Sequence, residues 1–338
     1  MRVLVTGAGG YIGSVLSEML TLAGYDVICL DRFYFGEDTL SPISGKVHIV
    51  KDDIRTFDPS LLKGVDAVLD LASLSNDPSG ELDPGKTLDI NYKGRVRVAQ
   101  LSQKYGVKRY ILASTCSVYG ASDGIADESS PLNPLTTYAK ANTLAEREVL
   151  TLGDDEFTVT ALRQATVYGL SRRMRFDLAI NGMILALYKT KKVRIMRDGT
   201  QWRPFVHVRD TSKAFMKVLE SERELVNRQI FNVGSNEQNY RIFELAKMIS
   251  ESLNIPFDYE WYGSPDTRNY RVSFDKARKE LGFIPSYTPR EASIEVWNAL
   301  QDGRLDPDDP RWITVNWYKR LLDMHRLIKK VELNGEIL

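Results

Sequence analysis

Thr6-Gly7-Ala8-Gly9-Gly10-Tyr11-Ile12-Gly13 decides how the chain begins to fold. Val3-Leu4-Val5 before it is an apolar run of strand type, and Ile12 to Ala23 after it carries a helical pattern. Glycines 7, 10 and 13 therefore stand where a first strand turns into a first helix. Gly7 permits the tight turn, and Gly10 lets the backbone approach a phosphate at the helix N-terminus. Gly13 lets the helix pack close to its sheet. The spacing, GxxGxxG, is one residue wider between its first two glycines than the fingerprint GxGxxG.

The second strand adds a second mark. Val27-Ile28-Cys29-Leu30 ends at Asp31. A carboxylate there can accept hydrogen bonds from ribose hydroxyls and repels a 2′-phosphate. Loop and carboxylate together imply a dinucleotide, NAD in preference to NADP. Arg32 pulls the other way, because an arginine there can accommodate that phosphate.

Outward from this unit the pattern repeats. Val47-His48-Ile49-Val50, Ala67-Val68-Leu69-Asp70-Leu71, Tyr110-Ile111-Leu112-Ala113 and Thr158-Val159-Thr160-Ala161-Leu162 read as further strands. Pro84 to Tyr105 reads as a long helix with Asp83 as N-cap, Pro84 at its first position and Gly106 as its stop. Apolar strands alternating with helices predict an α/β fold, a Rossmann-type doubly wound parallel sheet covered on both faces. Beyond about residue 165 the alternation loosens. Helices are expected over Asn181–Tyr188, Glu244–Leu253 and Glu291–Leu300, with Pro and Gly punctuating Pro256 to Pro289. A last amphipathic helix, Ile313 to Val331, suits packing or oligomer contact. Residues 1–168 are expected to form the NAD-binding domain, with later segments returning to it. Residues 169–338 are expected to form mostly a smaller mixed α/β substrate domain and the C-terminal helix.

Composition narrows the partners. In 338 residues, 45 Lys and Arg balance 45 Asp and Glu, and zero net charge argues against a nucleic-acid or membrane-surface partner. Cys29 and Cys116 are too few for a disulfide framework, and with three histidines they make no zinc pattern, so no metal is expected. No apolar run approaches the ~18 residues that span a bilayer. The N-terminal residues lack a signal-peptide core, so a cytoplasmic location is expected.

With these residues in hand, the chain resembles the extended short-chain dehydrogenase/reductases that modify nucleotide sugars, most of all the UDP-glucose 4-epimerase branch. The matching segments are residues 6–13, Asp52-Asp53-Ile54-Arg55, Asp70-Leu71-Ala72-Ser73 and Asn91-Tyr92-Lys93-Gly94. They continue through Ser114-Thr115-Cys116-Ser117-Val118-Tyr119-Gly120, Pro134 to Tyr138, and Arg163 followed by Thr166-Val167-Tyr168-Gly169. The resemblance implies that Gly7, Gly10, Tyr11, Ile12 and Gly13 hold the cofactor pyrophosphate, and that Asp31 and Arg32 stand at the adenosine ribose. Asp53 and Ile54 would flank the adenine, Leu71, Ala72 and Ser73 would line the cofactor strand, and Asn91 would brace the sheet.

The catalytic unit of that family is a Ser or Thr three residues before Val-Tyr-Gly, plus Tyr-x-x-x-Lys on the next helix. Thr115 and Tyr138 occupy the first two positions, and Glu146 stands eight residues beyond the tyrosine. The lysine position is Asn142. A free phenol has a pKa near ~10, so about one in a thousand is ionised at pH 7. The family's lysine lowers that value and holds the nicotinamide ribose; Asn142 can hydrogen-bond the ribose but carries no charge. Lys140 is two positions from Tyr138, about 200° around a helix, and cannot simply substitute. Three readings stand: a slower or specialised enzyme, a lysine supplied from elsewhere, or a protein that binds without turnover.

The segment after Thr115 separates reactions. Relatives that are 4,6-dehydratases carry Asp-Glu there, and decarboxylating relatives keep a Glu at the second position. Here stand Cys116 and Ser117, which disfavours both activities. Cys116 itself reads as a small residue near the site more readily than as a nucleophile. In the second half, Asn181 falls where relatives contact the sugar diphosphate. Gly199 to Asp210 resembles their G-x-x-x-R-D-F-x-x-V-x-D stretch, with Pro204 in place of Asp and His207 where they carry Tyr or His. Arg203 and Arg268 match the arginines that grip the pyrophosphate, a task suited to guanidinium forks. Arg172-Arg173-Met174-Arg175 reads equally as a phosphate cover or a solvated loop.

The resemblance therefore implies an NAD-dependent nucleotide-sugar epimerase working through a transient keto sugar, as a homodimer. A nucleotide-sugar dehydrogenase or ketoreductase, or a non-catalytic NAD and nucleotide-sugar binder, are the alternatives.

Overall fold

The computed structural model describes residues 1–337, apart from the side chain of Asp123. Seven strands form one parallel sheet: β1 Arg2–Thr6, β2 Asp26–Asp31, β3 His48–Lys51, β4 Ala67–Asp70, β5 Arg109–Thr115, β6 Thr158–Gln164 and β7 Gln229–Val233. Their order is β7-β6-β5-β4-β1-β2-β3. The chain moves outward one way from β1 through β2 and the other way from β4, so a crevice opens beyond the carboxyl ends of these two strands. Both faces are covered. Val3 and Val5 pack with Leu16, Leu20 and Phe215 on one side, while Leu4 packs with Ile28, Val68 and Tyr110 on the other. This is the doubly wound α/β fold that the apolar strands predict.

The long helix expected over Pro84–Tyr105 is one rod with a wide turn in it. Pro84–Leu88 and Arg95–Lys104 are α-helical, and Asp89–Gly94 between them has i→i+5 hydrogen bonding. Asp83 caps it by accepting from the Lys86 N–H at 3.0 Å. Asn91 and Arg95, one turn apart along this rod, are both fully buried.

A second layer sits over the carboxyl ends of the sheet. It holds a three-stranded sheet of Thr166–Tyr168, Trp202–His207 and Asn239–Arg241, and a pair of Val193–Met196 with Tyr259–Tyr262. Helices Ala179–Thr190, Ile242–Ser252 and Pro289–Gln301 pack around a core of Ile180, Ile184, Leu245, Ile249 and Val296. After residue 169 the chain returns to the large sheet and its helices: helix Val208–Glu220 lies against helix Tyr11–Leu22, β7 pairs with β6, and Asn269–Val272 pairs with Ala121–Ala126. Helix Thr314–Val331 is the last helix of the described chain, followed by a turn in which Leu333 and Glu336 bridge. Among the described residues, no helix is long and apolar enough to cross a membrane, and no group of three His, Cys, Asp or Glu side chains could hold a metal ion.

Candidate active site

A single cleft of about 570 Å³ runs between the sheet's carboxyl ends and the second layer. At one end lies the glycine loop. Gly7 has φ +66°, and a Cβ there would stand 2.8 Å from the Ala72 nitrogen. Gly13 is tighter still, with a Cβ position 2.0 Å from the Gly7 carbonyl oxygen. Helix Tyr11–Leu22 starts from Gly10 without a side-chain cap or an acidic residue in its first turn, so its N–H groups are open to an anion.

Asp31 ties this loop to the end of β2. Its Oδ2 accepts from the Gly9 N–H at 3.0 Å and its Oδ1 from the Phe33 N–H at 2.7 Å. Burial pushes its carboxyl up, with the Phe33 and Gly9 hydrogen bonds opposing. Arg32 also lines the cleft, held on Asp53 at 2.8 Å and over the Tyr34 ring at 4.8 Å. Burial works to raise Asp53, but hydrogen bonds from Arg55 and Arg32 prevail and hold it at about 2. Ile54, Leu71, Ala72 and Ser73 line the same half of the cleft. The Thr6 hydroxyl accepts from the N–H groups of both Leu71 and Ala72, and so sets the turn after β4. Asn91 does not line the cleft; its amide clasps Leu74 N–H at 2.8 Å and Leu74 C=O at 3.1 Å.

Thr115, at the end of β5, and Tyr138, in the first turn of helix Thr137–Thr151, form the middle wall. The Thr115 hydroxyl lies 3.1 Å from that of Ser117. Burial pushes the Tyr138 phenol up and Asp77 adds to this, while Arg95, the Thr115 hydroxyl and Arg175 pull it down. Asn142 follows one turn later but stands behind the wall, 1% exposed. Its Nδ2 donates to the Tyr138 carbonyl at 2.9 Å, and its Oδ1 accepts from Arg95 Nη1 at 2.9 Å. Lys140 is exposed, as the helical angle requires. Glu146 pairs with Arg163 at 2.8 Å in the interior.

Two arginines and two aspartates meet in another part of the cleft. Arg203 and Arg268 share the carboxylate of Asp266, at 2.8 Å and 2.6 Å, and Arg268 also pairs with Asp77. All four residues line the cleft. Asn181 does not. Its Oδ1 accepts from Gly169 N–H, and its Nδ2 donates to the Tyr11 hydroxyl and the Arg175 carbonyl, each at 3.0 Å. That uses both amide hydrogens, so Asn181 braces the cleft from behind.

Residues 3–234 match the NAD dependent epimerase/dehydratase family. The chain belongs to that family. It is 28% identical over 310 residues to the UDP-glucose 4-epimerase of Lactobacillus helveticus, covering 85% of this chain and 93% of the relative. MoeE5, solved in complex with UDP-glucuronic acid and NAD, superposes with a TM-score of 0.80 at 28% identity, over 90% of this chain and all of MoeE5. DesIV, a dTDP-glucose 4,6-dehydratase from Streptomyces venezuelae, gives 0.80 at 26% identity, over 91% of this chain and 99% of its own.

NAD is the cofactor of this epimerase/dehydratase chain, and the local geometry fits it: a loop with no room for side chains, an uncapped helix N-terminus and Asp31 beside them. Several cleft residues of this family member carry no mark in the sequence. Asp77, Asp266, Tyr270 and Tyr318 line the cleft although nothing in their local sequence singles them out. The basic stretch divides: Arg172 is exposed, whereas Arg173 and Arg175 are buried and line the cleft. Arg173 lies over the Phe35 ring at 3.6 Å and donates to the Thr314 hydroxyl at 2.9 Å. Burial, with Arg175 beside it, lowers it to about 10.

Proposed function

We propose that the protein is an NAD-dependent nucleotide-sugar epimerase. The observation that carries this reading is the gathering of three groups in one cleft: the glycine loop with Asp31, Thr115 with Tyr138, and Arg203 with Arg268. Bound at the first, NAD supplies the hydride acceptor and donor for a sugar carbon. The arginines suit the diphosphate of a nucleoside diphosphate sugar, which places the sugar between them and the glycine loop. Tyr138 takes the proton from the sugar hydroxyl, and Thr115 hydrogen-bonds the same oxygen, so the alcohol becomes a ketone. When the ketone presents its other face, Tyr138 returns the proton to the inverted alcohol. The chemistry is proton and hydride transfer, in which positioning and a tuned phenol do most of the work.

Epimerisation is favoured over elimination by the residues after Thr115. Cys116 is buried, its thiol donates to the Arg163 carbonyl at 3.2 Å, and burial pushes it well above its usual range. Ser117 is the other neighbour, so neither position offers a carboxylate. The same reading includes a homodimer formed through the helices that carry Asn91 and Tyr138.

The test is incubation of the purified protein with UDP- and dTDP-linked hexoses and hexuronic acids, followed by NMR of the sugar ring. Inversion of one carbon without added NAD, lost in Tyr138→Phe, is the expected result. Net NADH release with a stable keto product would replace epimerase by dehydrogenase. Binding of every sugar nucleotide without turnover of any would overturn the enzymatic reading.

A further inference from the structure

The lysine missing at residue 142 leaves a question of charge, and the interior behind Tyr138 holds one. Arg95 follows the wide turn at Asp89–Gly94 and points under the carboxyl ends of β4 and β5, wholly buried. Its Nη2 donates to the carbonyl oxygens of Asp70, at 3.0 Å, and Ala113, and its Nη1 donates to Asn142 Oδ1 at 2.9 Å. The other end of that amide donates to the Tyr138 carbonyl at 2.9 Å. One side chain thus links the guanidinium to the turn that carries the phenol.

A buried arginine is often half of a structural ion pair, and Asp70 is close. Yet Arg95 Nε stands 3.7 Å from Asp70 Oδ2 and has no hydrogen-bond partner. The Asp70 oxygens are taken instead by hydroxyls, that of Thr6 at 2.5 Å and that of Tyr110. The guanidinium makes its hydrogen bonds to three neutral oxygens. Those bonds fix the cation, and the Asp70 carboxylate 3.7 Å from its Nε offsets only part of its charge; away from water the remaining field is screened little. Asn142 presents a neutral oxygen to Arg95, where a lysine would bring a second cation to the same helix turn.

We propose that Arg95 supplies, from a neighbouring helix, the positive charge that readies Tyr138 for proton transfer, with the Asn142 amide as the link between them. Arg95 is a positioning residue: it does not line the cleft and acts only through Asn142 and its field. The proposal rests on the proposed function in assigning the proton to Tyr138, but its test does not need turnover.

The experiment is a pH titration of Tyr138 in NAD-loaded protein, followed by the ring-carbon NMR shift of labelled tyrosine and assigned by its loss in Tyr138→Phe. Arg95→Gln is expected to move the Tyr138 titration to higher pH. Each unit of displacement removes about tenfold of the phenolate at pH 7, and turnover should fall by about tenfold or more there and recover as pH rises. Arg95→Gln/Asn142→Lys should return the titration, and activity to within about threefold of the parent on the same scale. If Arg95→Gln alone does not fold, Asp70→Asn/Arg95→Gln is compared with Asp70→Asn, so that the difference between the two isolates the cation. A folded, NAD-binding variant with an unmoved Tyr138 titration overturns the proposal, whatever happens to its activity. So does a double variant in which Asn142→Lys fails to bring the titration back. A wild type without turnover but with these shifts would sink the epimerase reading and leave the role of Arg95 standing.

Discussion

The carbonyl oxygen of Gly7 stands 2.0 Å from where a Cβ on Gly13 would be. No rotamer relieves such a contact, because both partners are backbone. The first helix approaches the loop this closely only without a side chain at 13, and that approach aims the helix N-terminus at the cofactor. Gly13→Ala is therefore expected to cost stability toward the top of the ~1–3 kcal/mol typical of overpacking, and to weaken NAD binding. Denaturant unfolding and NAD titration measure the two. A variant with parental stability and affinity would show that the helix can draw back freely.

Asp31 has two tasks that can be separated. It holds the Gly9 and Phe33 N–H groups, and it presents a carboxylate where the adenosine ribose is expected. Asp31→Asn keeps one acceptor for the backbone but loses the charge. A hydrogen bond to a charged group contributes about 1.5–3 kcal/mol, so NAD affinity should fall by roughly ten- to a hundredfold. NADP affinity should fall less or rise, because repulsion of its 2′-phosphate is relieved. Arg32 is engaged by Asp53 and Tyr34 and does not by itself turn the site toward NADP. The ratio of the two dissociation constants decides; an unchanged ratio would place the selectivity elsewhere.

What could be read before the structure, and what could not, follows from how local each cause is. Gly7 and Gly13 are legible because backbone sterics between a strand and the next helix act within a few residues. Asp31 is legible because a strand end sets its place. The wide turn at Asp89–Gly94 left no such mark, since the flanking residues suit a plain helix. Arg172 and Arg173 are the same residue type side by side, and only Phe35 and Thr314, distant in sequence, draw the second inward. Asn181 lies at a ligand position by resemblance, yet Gly169, Tyr11 and Arg175 converge to use its amide. Arg95 is the sharpest case: a charged residue on a helix reads as solvated until β4, β5 and Asn142 close around it.

Asp53 gives the protein a defined acid limb. Its carboxyl falls from the ordinary 3.8 to about 2 because the hydrogen bonds from Arg55 and Arg32 outweigh burial. A carboxylate lower in the folded than in the unfolded chain stabilises the fold fully above the unfolded value. That contribution is lost as pH falls through the folded one. The window is therefore from about 4 down to about 2. Asp53→Asn should be less stable than the parent at pH 6, and the difference should shrink steadily through that window. Thermal melting against pH measures it; parallel curves for the two proteins would mean that Asp53 is not held this way.

Arg203 and Arg268 are coupled through Asp266, and their effects on a nucleoside diphosphate should not add. Each guanidinium now spends hydrogen bonds on that carboxylate, and Arg268 also engages Asp77. Removing Arg203 leaves Asp266 still held by two nitrogens of Arg268. Removing Arg268 leaves Asp266 to Arg203 alone and takes the cation from Asp77 beside the ligand, so repulsion adds to the lost contact. Arg203→Gln should weaken UDP binding by about tenfold and Arg268→Gln by about a hundredfold, on the scale of charge-assisted hydrogen bonds. The double variant should exceed the product of the two, because only it leaves Asp266 with neither guanidinium. NAD affinity should stay within about twofold in all three, since Asp31 and the glycine loop share no bonding partner with these arginines and independent sites act additively. Calorimetric titration of UDP and of NAD across the four proteins gives the full cycle. Strict additivity would show that Asp266 does not couple the pair, and parental UDP affinity in Arg268→Gln would remove these arginines from the diphosphate site.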